Sequence, residues 1–136
     1  MNKKKIFIQK IGKRKRAIAN AVAKPGSGEI IINNKSINNF EPENLKLMMK
    51  EPVLVAEDGA KNLDINVTVK GGGVFGQAAA VRQAIARVLV ENNKGLKEKF
   101  ISYDRTMLVS DARRTEKHKP SSSKRGPRRH KQRSKR

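Results

Sequence analysis

Gly12-Lys13-Arg14-Lys15-Arg16 places four consecutive cations directly after a glycine. A guanidinium meets a phosphate as a fork of two donors, and an ammonium meets it as a point charge. A charge run of this kind is commonly a solvated loop. This one ends a sixteen-residue N-terminal segment with eight basic residues and no acid, which favours phosphate contact instead. A second pair, Arg113 and Arg114, follows Asp111. Either Asp111 braces one of these arginines in a local salt-bridged turn, or both arginines grip a polyanion as the chain leaves its folded part. Beyond them Lys124, Arg125, Arg128, Arg129, Lys131 and Arg133 repeat the same chemistry, and Ser134, Lys135 and Arg136 close the chain.

Gly71-Gly72-Gly73-Val74-Phe75-Gly76 fits GxGxxG and is followed twenty residues later by Glu91. A dinucleotide-binding loop needs that acid at the end of a second parallel strand. Here Glu91 falls in the last turns of a helical pattern, and the chain has no room for a second βαβ half. The glycines instead predict a flexible turn with close helix–sheet packing. In an alternative reading, Gly72 and Gly73 offer backbone N–H groups at a helix start to a phosphate.

No catalytic set can be assembled. Asp64, Asp104 and Asp111 are scattered, and the two histidines, His118 and His130, lie in a tail without cysteines, so neither catalytic nor metal-ligating residues are assigned. No cofactor and no small-molecule substrate are expected. The aromatics Phe7, Phe40, Phe75, Phe100 and Tyr103 form no evident stacking platform, so affinity should come from backbone charge rather than base readout.

The charge is partitioned. The chain of 136 residues has a formal charge of +20, yet residues 17–111 contribute twelve basic and eleven acidic side chains. Residues 112–136 carry twelve basic residues, one acid and no large apolar side chain. Such a segment buries too little apolar surface to fold alone, but extended it reaches ~80 Å. The organisation expected is therefore a globular domain with a basic N-terminal arm over 1–111 and an extended basic tail over 112–136. No apolar run approaches the ~20 residues of a membrane span, so no membrane partner is expected. A soluble, cytoplasmic protein binding RNA follows from charge placed at two ends.

The elements that must position these groups read as follows. Strands are expected at 6–8 and 17–23, with the Gly12–Arg16 run breaking or bending the pairing. Alanines 17, 19, 21 and 23 make one face of the second strand small enough for a helix to approach closely. Residues 29–32 and Asn33-Asn34 predict a tight hairpin, because asparagine tolerates positive φ. Pro42 suits a first helical position, Pro52 restarts a short helix, and Gly59 ends it. Leu63 to Lys70 alternates as a half-buried strand. The longest helix spans Phe75 to Asn93, with Ala78, Val81, Ile85, Val88, Leu89 and Asn92 on its inner side and Gln83, Arg87 and Lys94 opposite. A further helical turn is expected at Leu96–Phe100. The fold class is α/β (α+β): a two-layer sandwich with a mixed sheet of about four strands and helices on one face.

Taken in order, several blocks resemble the universal family of ribosomal small-subunit protein nine. They are Gly12-Lys13-Arg14-Lys15 with Ala17-Ile18-Ala19, Gly26-Ser27-Gly28, Gly71-Gly72-Gly73 with Gly76-Gln77-Ala78, Asp111-Ala112-Arg113-Arg114-Thr115-Glu116 and Ser134-Lys135-Arg136. Tyr103 to Leu108 and His118-Lys119-Pro120 are similar to its archaeal branch. The resemblance implies a left-handed crossover in the sheet and a place in the head of the small subunit on ribosomal RNA, beside neighbouring head proteins. It also implies a tail reaching the peptidyl site, where Arg136, with Lys135 and Ser134, touches the bound transfer RNA. The archaeal branch leads one to expect an aromatic in the penultimate place, whereas Lys135 offers charge and no ring. The rival expectation is a nucleic-acid chaperone acting away from ribosomes.

Overall fold

The computed structural model describes residues 7–117. Five strands form one mixed sheet in the order β1-β2-β5-β3-β4: β1 Ile8–Arg14, β2 Ala17–Pro25, β3 Ile30–Ile32, β4 Lys35–Ser36 and β5 Leu63–Lys70. The β1–β2, β2–β5 and β3–β4 pairs are antiparallel, and β3 runs parallel to β5. Helices α1 (Glu43–Ala56), α2 (Val74–Asn92) and α3 (Leu96–Tyr103) complete the fold. The two-layer α+β reading holds, with a fifth strand too short to leave a periodic signal.

Alternation decides which sheet face is covered. Leu63, Ile65, Val67 and Val69 of β5 are buried while Asn66, Thr68 and Lys70 are exposed. In β2 the buried partners are Ala17, Ala19, Ala21 and Ala23. Four methyl-sized side chains in a row let the α2 backbone sit close to the strand. Gly12 extends that low floor into β1: a Cβ there would meet Ala80 O at 2.0 Å and Ala84 N at 2.6 Å. The first strand is accordingly longer than its sequence suggests. The Gly12–Arg14 segment belongs to β1, and only Lys15 and Arg16 turn, with Lys15 at φ 54°. The glycine that looked like a strand breaker is the residue that lets strand and helix touch.

At the β3–β4 turn both Asn33 and Asn34 take positive φ (48° and 65°), as the hairpin reading requires. The Asn33 side chain also continues the parallel ladder. Its Nδ2 donates to Val69 O (3.1 Å), and its Oδ1 accepts from Val69 N (2.9 Å). Before β3, Asp64 Oδ1 accepts the N–H groups of Ser27, Gly28 and Glu29 at 2.9–3.0 Å, which fixes the β2–β3 connection and holds its carboxyl below the ordinary range.

Three helix expectations are corrected. Pro42 caps α1 from outside rather than opening it, and Pro52 lies within one continuous helix instead of starting another. Pro52 is buried, so packing outweighs the one backbone bond it cannot make. Gly59 lies in a short 3-10 turn, Glu57–Ala60, beyond the helix end. Helix α2 is buried on nearly every side at its centre. Gln83 is 4% exposed, although its position had placed it opposite the apolar stripe, and Asn92 is exposed although it had shared that stripe. Helix α3 runs three residues past Phe100, which is fully buried.

Candidate nucleic-acid interface

The β1–β2 turn and the glycine run after β5 come together because β2 ends its pairing with β5 at Ile18–Lys70. Gly71 (φ 81°) and Gly72 (φ 68°) fold the chain back over the turn. A Cβ on Gly71 would meet Arg16 O at 2.6 Å, and one on Gly72 would meet Ala17 N at 3.1 Å. Gly73 faces open space and supplies the N-cap of α2 without a side-chain bond. The result is an open groove of about 410 Å³ between Arg14, Lys15 and Arg16 on one wall and Gly72, Gly73, Val74, Phe75 and Gly76 on the other, with Thr115 at its rim.

Its electrostatics favour an anion. The first turn of α2 has no acidic residue and its N-cap makes no side-chain bond, so orphan N–H groups and the positive end of a nineteen-residue helix face the groove. Lys15 and Arg16 are exposed beside them. Phosphate oxygens can take both kinds of donor at once.

The exit segment closes one side. The braced turn of the first reading is present: the Asp111 carboxylate holds Arg113, which donates from Nε and Nη2 at 2.7–3.1 Å and from its backbone N–H at 2.8 Å. These bonds, together with the charges of Arg113 and Arg14, push the Asp111 carboxyl far below its ordinary range. Arg14 Nη1 lies 2.7 Å from Asp111 Oδ2 but off the hydrogen-bond direction, so that contact is an ion pair. Arg114 Nη1 donates to Lys15 O at 3.1 Å. One carboxylate thus ties the start of the tail to the end of β1, and one arginine ties it to the turn.

Behind this clamp, α2 holds β1 and the exit segment together. Gln83 Oε1 accepts the Lys13 N–H (2.8 Å). Arg87 donates to Leu108 O (3.0 Å), Ile11 O (2.6 Å) and Ser110 Oγ (3.1 Å). Burial lowers the Arg87 pKa. Gln83 and Arg87 had been expected on the solvent side; instead they fasten the two segments that carry the cations.

Of the expected anion-binding residues, the structure brings together Arg14, Lys15, Arg16, Gly72 and Gly73, with Arg113 and Arg114 beside them. Lys13 projects from the uncovered sheet face, outside the groove lining. Lys124, Arg125, Arg128, Arg129, Lys131, Arg133, Ser134, Lys135 and Arg136 lie outside the described residues, as do His118 and His130. Phe75, counted in the sequence only among aromatics that form no stacking platform, is 64% exposed at the groove. Its place on a helix start, with no apolar partner at i−4, was the available signal. Among the described residues no cluster of His, Cys, Asp or Glu could hold a metal, and no helix is long and apolar enough to cross a membrane.

A family model, ribosomal protein S9/S16, matches residues 12–136. The chain belongs to this family. Its relatives include the small ribosomal subunit protein uS9 of two strains of Methanococcus maripaludis, each 50% identical over 129 residues, covering 93% of this chain and 96% of the relative. The uS9 of Methanococcus vannielii is 48% identical over the same coverage. The archaeal character of the family resemblance is therefore sustained, and the family is a structural, non-enzymatic one.

Proposed function

We propose that this chain is a structural component of the small ribosomal subunit, where it holds ribosomal RNA through the groove and its two cationic segments. The observation that carries the reading is the meeting of Lys15 and Arg16 with the acid-free N-terminus of α2 in one open groove. The naming of its relatives as small-subunit proteins supports the setting. A ribosomal place in the cytoplasm follows from it. In this reading Lys13, Lys15, Arg16 and Arg114 neutralise phosphates near the domain, Arg14 and Arg113 do so only in part because Asp111 engages them, and the tail cations act farther out.

We further assign a contact with peptidyl-site transfer RNA to Ser134, Lys135 and Arg136. Every elongator transfer RNA must be accepted in turn, so the contact has to be made to backbone phosphate, which carries no sequence information. Deleting residues 134–136 is expected to leave assembly intact and to weaken transfer-RNA binding at the peptidyl site. Undiminished binding by subunits carrying the truncated chain would overturn the tail assignment. For the groove, Lys15→Ala and Arg16→Ala should each flatten the log–log salt dependence of RNA binding by about 0.7–0.9. An unchanged slope in both would refute the groove as a phosphate site.

A further inference from the structure

The outer edge of β1 carries a second surface, and its chemistry is unlike that of the phosphate groove. Among the described residues β1 pairs on one side only, with β2. Ile11 C=O and Lys13 N–H point away from β2, because Arg87 and Gln83 bond them from the other side. In an antiparallel strand, outward-pointing groups recur on alternate residues. The N–H of Ile11 and both backbone groups of Gln9 therefore point off the same edge. The C-terminal half of the edge is capped by α2, while the half around Gln9 opens onto a groove of about 600 Å³ formed by Ile11, Arg87, Val90, Glu91, Lys97 and Leu108.

Resting on the ribosomal placement proposed above, we infer that this edge receives an extended segment of a neighbouring protein, which adds to the sheet as a sixth strand beside β1. Backbone donors and acceptors alternating along an edge are matched by another peptide backbone. The wall contributed by Ile11, Val90 and Leu108 gives alternate side chains of that segment apolar contact. RNA fits poorly, because most of the local cations are already engaged. Arg87 makes three bonds to protein oxygens, and Lys10 pairs with Glu91 at 3.3 Å. Lys97 is exposed at the rim. Lys97, which pairs with no acid among the described residues, calls for a carboxylate near that end of the added segment.

The test uses the full-length chain assembled into small subunits, with p-benzoylphenylalanine in place of Lys97 or, separately, of Arg16. Irradiation should give protein adducts from position 97 and RNA adducts from position 16. RNA adducts at 97, or no adduct there in particles whose position 16 reacts, would overturn the inference. Silence at both positions would count against the ribosomal placement and the inference together. Gln9→Pro removes an outward N–H without taking a bond from the β1–β2 ladder, and should cut the protein adduct at 97 at least fivefold. Gln9→Ala keeps that N–H and should leave the yield unchanged. Equal loss in both variants, or in neither, would refute backbone pairing as the mode of docking.

Discussion

Replacing Gly12 with alanine tests how closely the sheet and α2 must approach. Gly12 has no positive φ, so the substitution carries no backbone strain of its own. The added Cβ would lie 2.0 Å from Ala80 O and 2.6 Å from Ala84 N. Both are backbone atoms of one helix, so no side chain can rotate out of the way. Restoring even a 3.0 Å contact moves α2 outward by about 1 Å, across a floor that includes Ala17, Ala19 and Ala21. Overpacking of this kind costs about 1–3 kcal/mol, and a rigid helix backbone puts it near the upper end. Removing a strand glycine returns roughly 0.5 kcal/mol, leaving a loss of about 2–2.5 kcal/mol. For a domain of this size that lowers Tm by about 10–20 °C, measurable by circular dichroism on the free protein. Gly73→Ala serves as the control, since its Cβ meets nothing within 4 Å. As Gly73 is the N-cap of α2, this change should cost only about 0.5–1 kcal/mol, well below the loss at Gly12. A Gly12→Ala protein melting within about 3 °C of the parent would refute the account of why a glycine sits in β1.

Arg82 links α1 to the segment after α3 through Glu51 (2.7 Å) and Asp104 (2.9 Å), and Tyr103 Oη donates to the same Glu51 (2.6 Å). Arg82→Ala should cost about 1–2 kcal/mol, less than a fully buried pair because Asp104 is partly open to water. Arg82, with help from Thr106, holds the Asp104 pKa down to about 2, so its contribution is complete above pH 4 and is lost as pH falls from about 4 to 2. Acid titration of stability should show that loss in the parent and a smaller one in Arg82→Ala; equal losses would contradict it. Asp111→Asn removes the charge that engages Arg113 and Arg14. The salt slope of RNA binding should steepen by up to about 0.9 for each cation released, and an identical slope would show that the clamp withholds nothing. Gly73→Ala, which costs little stability, should still weaken RNA binding, because a methyl would keep phosphate from the first N–H groups of α2; affinity equal to the parent's would remove that end from the site.

The sequence carried the fold class because β5 alternates cleanly and α2 has a long apolar stripe, both governed by short-range periodicity. It also carried the Asn33-Asn34 turn, where backbone preference alone decides. It could not carry the length of β1. Gly12 reads as a breaker until α2 is placed over it, seventy residues away in the chain. Gln83 and Arg87 misled for the same reason: on a helical wheel they are polar and outward, and only the β1 edge and the exit segment give their polar ends partners inside. Pro52 looked like a boundary because propensity takes no account of burial. For the site, the cationic turn and the glycine run were each legible by residue type. Their convergence was not, since it depends on the register that seats Lys70 beside Ile18. The pairing of Asp111 with Arg113 was visible from spacing, while the share taken by Arg14 was not.

Asn33 completes a ladder with its side chain where the strand itself has already turned away. That substitution of amide for backbone makes one rung of the sheet chemically perishable. Hydrolysis of the carboxamide over the lifetime of the molecule would leave two acceptor oxygens, one of them set against the Val69 carbonyl, and an anion where a neutral donor had been. The short β3–β4 corner would then loosen while the rest of the sheet stayed intact. The cost of losing that single amide would fall on this corner alone.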